Sequence, residues 1–207
     1  MIFDLHIHTQ ALSSCSRMSM GEAAAQSKAL GLDGICITEH DAMADAREAE
    51  YFSNKYGIII LVGCEVNTHE GDILVFGLKE VPKGKLSAQE LIDLTDASGG
   101  GCIAAHPFRD NGRGAGNVLS QLHGLCGIEA YNGNTKPEHN QQAVQYAEML
   151  NIPQIGASDA HSIDRVGAYA TEFPLMIYSI QDLVQALRKG NFQPLRYDAK
   201  NFFPCLS

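Results

Sequence analysis

The chain has 207 residues, 45% of them hydrophobic and 19% charged, with 20 glycines and no tryptophan; this balance suits one folded α/β domain over residues 1–207 and excludes a disordered or fibrous chain. Its formal net charge of −9 lacks the basic footprint that binding to long nucleic acid needs, so that partner is disfavoured. No apolar run approaches the roughly 18 residues that span a bilayer and no export signal is visible, and six cysteines without a C-x-x-C pair suit reduced thiols in a cytoplasmic protein.

Ile2 to His8 alternates apolar and polar residues and reads as a first strand. A Ser-rich loop follows, then a helix over Gly21–Leu30 with Ser19 and Glu22 at capping-box spacing and Gly31 as its stop. Asp33–Thr38 is a short second strand, Ala42–Tyr56 a helix, Ile58–Cys64 a third strand and Ile73–Leu78 a fourth. Ala88–Ala97 reads as helix, Cys102–Ala105 as strand, Gly127–Tyr131 as strand, Glu138–Leu150 as helix and Ile152–Ala157 as a seventh strand. Ala168–Phe173 is a last short strand, and Ile180–Lys189 a helix that Ser179 and Asp182 cap and Gly190 ends. Strands alternating with helices predict a mostly parallel sheet, which short apolar strands allow to close into a barrel.

The polar residues carry the functional signal. In His6-Ile7-His8 both imidazoles fall on one side of a strand, because side chains alternate with period two, so both can ligate one ion. Thr38-Glu39-His40-Asp41 follows an apolar strand and sets His40 at its end with a carboxylate on either side to fix the ring, Asp41 doubling as a helix cap. Glu65 ends the most hydrophobic strand, where a carboxylate needs a cation or hydrogen bonds to compensate its burial; two oxygens make it the candidate shared ligand. His106-Pro107 ends another strand, and Asp159 with His161 follows the seventh. Seven such residues at five strand ends share one face if the strands are parallel, which is where barrels of this kind assemble active sites. His123 and His139 sit near helix ends among polar residues and read as surface positions.

Taken together, Asp-Leu-His-Ile-His, Thr-Glu-His-Asp, Gly-Cys-Glu, His-Pro and Ser-Asp-Ala-His, spread over residues 4 to 161, resemble the polymerase and histidinol phosphatase (PHP) superfamily. The resemblance implies a distorted seven-stranded (β/α)7 barrel of the TIM-like type, two or three divalent metal ions (Zn, Mn or Fe), and hydrolysis of phosphate esters by a metal-activated water. It groups His6, His8, Glu65 and Asp159 about one ion, Glu65 and His106 about a second, and His40 and His161 about a third, and it gives Glu65, Asp159 and His161 the candidate catalytic roles. The chain departs from the family in two places. Ser13-Ser14-Cys15-Ser16 stands where an Asp or His often ligates the third ion, leaving Cys15 as a soft substitute or that site weak. Gly71-Asp72-Ile73 stands where many members have a His, which makes Asp72 the natural replacement and His69 a lesser one.

Phosphoester chemistry also asks for cations near the phosphoryl oxygens, and Arg17, Arg109 and Arg165, each close to a ligand motif, are the candidate substrate-binding residues in that order of preference. The expected substrate is a small phosphorylated metabolite or nucleotide, and the oligomeric state stays open. Two other classes compete: an amidohydrolase-type barrel, which usually bridges its metals with a strand-end lysine that this sequence lacks, and a non-catalytic or polymerase-associated accessory module.

Overall fold

The computed structural model describes residues 1–205. Ten strands and five α-helices follow in the order β1 (Ile2–Ile7), α1 (Met20–Leu30), β2 (Gly34–His40), α2 (Ala46–Tyr56), β3 (Ile59–Asn67), β4 (Asp72–Phe76), α3 (Ala88–Ala97), β5 (Gly101–Ala104), β6 (Gly127–Asn132), α4 (Pro137–Leu150), β7 (Gln154–Ala157), β8 (Tyr169–Glu172), α5 (Ile180–Lys189), β9 (Gln193–Asp198) and β10 (Asn201–Pro204). The strands form one sheet in the order β10-β9-β8-β1-β2-β3-β4-β5-β6-β7. This sheet curls until β7 returns to β1. Ile7 and Ala160 make a parallel bridge, His8 N donates to Ala160 O at 3.0 Å, and the Thr171 hydroxyl bonds both the N–H and the carbonyl of Gly156. Gly156 lets the walls meet: a Cβ there would lie 2.7 Å from the carbonyl oxygen of Ala170. The seven strands β1–β7 make the wall of a distorted TIM-like barrel, and β8–β10 extend it beyond β1.

Parallel pairing runs through β1–β2–β3 and again through β5–β6–β7. Within the β1–β7 wall, strand β4 is the exception, antiparallel to both neighbours. A four-residue turn joins it to β3, too short for the crossover that a parallel strand needs. The start of β4 therefore stands at the same end of the barrel as the finish of β3, which places Asp72 at the mouth.

The barrel interior is filled by Phe3, Leu5, Cys36, Leu61, Leu74, Phe76, Ile103 and Ile155, against which Leu183, Val184 and Leu187 of α5 close the far end. Helices α3 and α4 cover one outer face over Val66, Ile73, Val75 and Ile128, and α1 and α2 cover another over Ile35, Ile37 and Ile60. Both expected capping boxes form, Ser19 with Glu22 and Ser179 with Asp182, and Gly31 and Gly190 end their helices in the left-handed conformation.

One helix limit needs correction, and two features of the sheet go beyond the sequence pattern. Helix α2 starts at Ala46, not Ala42, because Asp45 is its N-cap; Asp41 is left-handed, at φ 48°, and spends its carboxylate on the N–H of Asn67. Strand β8 is antiparallel to β1. Residues beyond α5, for which the sequence pattern gives no element, form the β9–β10 hairpin on β8. Cys36, Cys64 and Cys102 are buried, and the cysteines are free. Burial pushes the thiols of Cys64 and Cys102 up to about 12.

Candidate metal centre

At the mouth, four imidazoles surround one carboxylate. Glu65 Oε1 lies 2.8 Å from His106 Nε2, while Oε2 lies 2.7 Å from His40 Nδ1, 3.4 Å from His8 Nε2 and 3.5 Å from His6 Nε2. Glu65 is fully buried, yet Oε2 takes no well-directed hydrogen bond, and the same holds for buried Asp159 Oδ1, which sits 3.4 Å from His8 Nε2 and 3.6 Å from His6 Nε2. Native structures seldom leave buried carboxylate oxygens unpartnered unless an ion satisfies them. The donors fall into four overlapping groups, each within 4.8 Å: His6, His8 and Glu65; His6, His106 and Asp159; Glu65, Asp72 and His106; and His8, His40 and His161. Imidazole nitrogens mixed with carboxylate oxygens suit Zn²⁺, Mn²⁺ or Fe²⁺, so the residues present fit divalent cations.

The backbone delivers these groups by sharp turns at the strand ends. Asp41, His106 and Asp159 all have positive φ, at 48°, 25° and 50°, and such strain in non-glycine residues clusters at functional sites. His8 stacks between His40 and His161, with ring centroids 4.2 and 4.4 Å away. The inner histidines are fully buried, whereas His40 and His161, at 26% and 22% exposed, form the rim. His161 Nδ1 faces the carbonyl oxygen of Asp159 at 3.0 Å, which places its proton there and leaves Nε2 as the basic nitrogen.

Burial disfavours a charge on His6, but Asp159, Glu129 and Glu65 outweigh it and hold the imidazole well above its ordinary range. Burial lowers its neighbour His8 to about 4, with the His6 charge adding to the effect. Glu65 is held well below the usual carboxylate range despite its burial, by His6, His106 and His40. Asp159 is likewise depressed by His6, His8, His106 and Arg109. Asp72 is raised by burial and by Glu65, against Arg113 and Asn67.

The sequence-derived candidates sort into two sets. His6, His8, His40, Glu65, Asp72, His106, Asp159 and His161 come together at the mouth, whereas exposed His69 and exposed Cys15 join none of the donor groups. Of the arginines, Arg109 reaches Asp159 Oδ2, Asn132 Oδ1 at 2.6 Å and Thr135 Oγ1 at 2.9 Å. Arg17 is exposed, with its backbone N–H donating to His161 O, and Arg165 donates to the carbonyl of Gly133. The expected flanking of His40 by carboxylates does not form. Glu39 turns instead to the backbone and hydroxyl of Thr9 and to Ser13, and Ser13 Oγ lies 3.3 Å from His8 Nδ1. His123 is exposed and His139 half-buried on α4.

Two residues absent from the sequence reading belong here. Arg113 donates to Asp72 and lies 3.3 Å from His40 Nδ1. The glycine-rich stretch after His106-Pro107 was its only sequence signal. Gly71 fits against this loop so closely that a Cβ would meet Ala115 N at 2.5 Å, and Asp72 N bonds Arg113 O. Buried Glu129, in β6, lies 2.9 Å from His6 Nδ1 and accepts from His106 N; it is an isolated acid inside an apolar strand, and that isolation was a signal.

A family model described as "PHP domain" matches residues 4–151, and one described as "PHP-associated" matches residues 137–192. An uncharacterized protein of Methanocaldococcus jannaschii is 29% identical over 139 residues, covering 62% of this chain and 80% of that protein. Among solved structures, a two-domain protein from Bacteroides vulgatus containing a predicted PHP-like metal-dependent phosphoesterase matches with a TM-score of 0.71 at 21% identity, over 93% of this chain and 64% of that one. An amidohydrolase from Chromobacterium violaceum matches with a TM-score of 0.65 at 18% identity, over 96% and 99%. These likenesses show a shared barrel, and the sequence match spans most of the chain together with nearly every ligand-bearing strand: the protein belongs to the PHP domain family.

Proposed function

We propose that this protein is a metal-dependent phosphoesterase acting on a small phosphorylated metabolite or nucleotide in the cytoplasm. The observation that carries the reading is Glu65, a buried carboxylate with four imidazole nitrogens around it and an oxygen left without a hydrogen bond. Divalent cations held by His6, His8, Glu65, Asp72, His106, Asp159, His40 and His161 supply charge neutralisation for phosphoryl oxygens and a nucleophilic water of lowered pKa. The chain's own charges explain why such cations are needed. Glu65, Asp72 and Asp159 bring three carboxylates to the mouth, offset without cations only by Arg109, Arg113 and a charged His6; a His6 that ligates gives up that charge, and divalent cations replace it and add the excess that a phosphate dianion needs.

The chain's residues then bind and orient. Arg113, with a side chain 34% exposed, presents the accessible guanidinium, whose planar fork matches phosphoryl oxygens. Arg109 is held by three partners and fixes Asp159 by its Oδ2, directing Oδ1 toward His6 and His8. His161, on the rim with Nε2 basic, is placed to serve as a ligand or to hold a proton near a leaving group.

Amide hydrolysis is the second reading, favoured by the amidohydrolase of similar fold. Against it stands the place where a bridging lysine would sit: Glu65 occupies it, and no lysine ends any of strands β1–β7 at the mouth. The test is a chelator-stripped protein reloaded with Zn²⁺, Mn²⁺ or Fe²⁺ and offered phosphorylated metabolites, nucleotides and carboxamides. Metal-restored phosphate release is the expected result. Amide cleavage alone, or no phosphoester turnover with any of the three metals, would overturn the proposal.

A further inference from the structure

We infer that Glu129 is a positioning residue, one carboxylate that sets the orientation of two metal-ligating histidines on different strands. The inference rests on the metallohydrolase reading above. Glu129 sits in β6, fully buried at 0% exposure, where an unpaired carboxylate would be costly. Both of its oxygens are committed. Oε1 lies 2.9 Å from His6 Nδ1, and Oε2 accepts the backbone N–H of His106 at 2.7 Å. Neither partner is near it in sequence, so no local turn or cap explains the residue; its separations from them are 123 and 23 positions.

Each bond has a distinct consequence. A carboxylate accepts and does not donate, so the proton between it and His6 resides on Nδ1. The ring is then fixed with Nε2 turned to the unpartnered oxygens of Glu65 and Asp159, at 3.5 and 3.6 Å. A carboxylate behind a ligating histidine locks the tautomer and makes the ligand nitrogen more basic. The second bond holds the His106 peptide at φ 25°, a conformation that a non-glycine residue keeps only when its surroundings impose it. That turn carries the ring to Glu65, where Nε2 lies 2.8 Å from Oε1. Ser13 and Glu39 stand behind His8 in a looser version of the same arrangement, with Ser13 Oγ at 3.3 Å.

The test compares wild type with Glu129→Gln, which is isosteric but offers one acceptor where two donors must be met, and with Glu129→Ala. Zn²⁺ affinity is measured by equilibrium dialysis with elemental analysis, and the His6 Nδ1–H resonance of the Zn²⁺-loaded protein by long-range ¹H–¹⁵N correlation. Expected for Glu129→Gln are a native circular dichroism spectrum, a 10- to 100-fold loss of Zn²⁺ affinity of the scale that outer partners of metal ligands usually control, and loss or a large shift of that resonance. Wild-type affinity together with an unmoved resonance in Glu129→Gln would overturn the inference, even if Glu129→Ala failed to fold. A wild type that binds no divalent metal would overturn the metallohydrolase reading, and this inference with it.

Discussion

Replacing Glu65 by Gln asks which ligand the site can least spare. The side chain keeps its volume, loses one of the three carboxylate charges at the mouth, and retains one acceptor oxygen where His106 and His40 approach different oxygens at 2.8 and 2.7 Å. At an effective dielectric of about 20, one unit charge 3.5 Å from its neighbour, the spacing of Oε2 from His6 Nε2, is worth roughly 5 kcal/mol. An amide is cheaper to bury than a carboxylate and returns part of that. A hundredfold change corresponds to about 2.7 kcal/mol, roughly half of that interaction, and we expect turnover of a phosphomonoester such as p-nitrophenyl phosphate to fall by at least that factor, with the fold unchanged. His139→Ala, on α4 and outside the donor groups, is the matched control and should leave turnover nearly intact. Near-normal turnover in Glu65→Gln with full metal content would refute the reasoning, because a carboxylate shared among four imidazoles cannot then be what the chemistry depends on.

Two further outcomes follow from the framework of the barrel. Asp41→Ala should destabilise the metal-free protein by about 1–2 kcal/mol in urea titration, since alanine loses the bond from Asn67 N and must hold a left-handed backbone; Asp41→Asn, which keeps an acceptor and tolerates that conformation, should stay within about 0.5 kcal/mol, and equal stability of the alanine variant would refute the account. In the helix caps, hydrogen bonds from Ser19, Ser87 and Ser179 hold Glu22, Glu90 and Asp182 below their ordinary values of 4.5, 4.5 and 3.8. A depressed carboxylate contributes stability above its unfolded value and loses it as pH falls through the folded one, so the thermal midpoint should drop as pH goes below about 4.5. The triple variant Glu22→Gln, Glu90→Gln, Asp182→Asn should flatten that acid limb, and an unchanged limb would show that the caps do not cause it.

What the sequence showed and what it hid divide along a physical line. Ligands such as His6, His8 and Glu65 were legible because an imidazole or carboxylate at the end of an apolar strand stands out against a strong local pattern. Helix limits were legible where chemistry marks them, as with Ser179, Asp182 and Gly190. Asp41 misled because Asp45, four residues on, offers the same capping chemistry, and only the Asn67 N–H decides between them. Glu129, Arg113 and Ser13 were hidden because their roles come from partners far along the chain: Glu129 from His6, Arg113 from Asp72 and Ser13 from Glu39. The β9–β10 hairpin was missed because its strands are largely exposed and mix polar with apolar residues, as an edge hairpin permits.

Strand β4 sharpens the rule by which such a barrel is read. Searching the C-terminal ends of strands finds His8, His40, Glu65, His106 and Asp159, but in a uniformly parallel wall it would assign the start of β4, and Asp72 with it, to the far end. The β3–β4 pairing decides otherwise: Asn67 stands opposite Asp72 and Glu65 opposite Leu74. Glu65 and Asn67 are two apart on β3 and share a face, and directly opposed residues of an antiparallel pair share one too, so Asp72 faces the same side as Glu65. The geometry agrees, since Asn67 Nδ2 donates to Asp72 Oδ1 at 2.7 Å and Asp72 Oδ2 lies 3.8 Å from His106 Nε2. One reversed strand thus turns an N-terminal residue into a member of the donor cluster. The feature to seek in a sequence is whichever end of a strand reaches the mouth, and the short turn from Thr68 to Gly71 is what identifies it here.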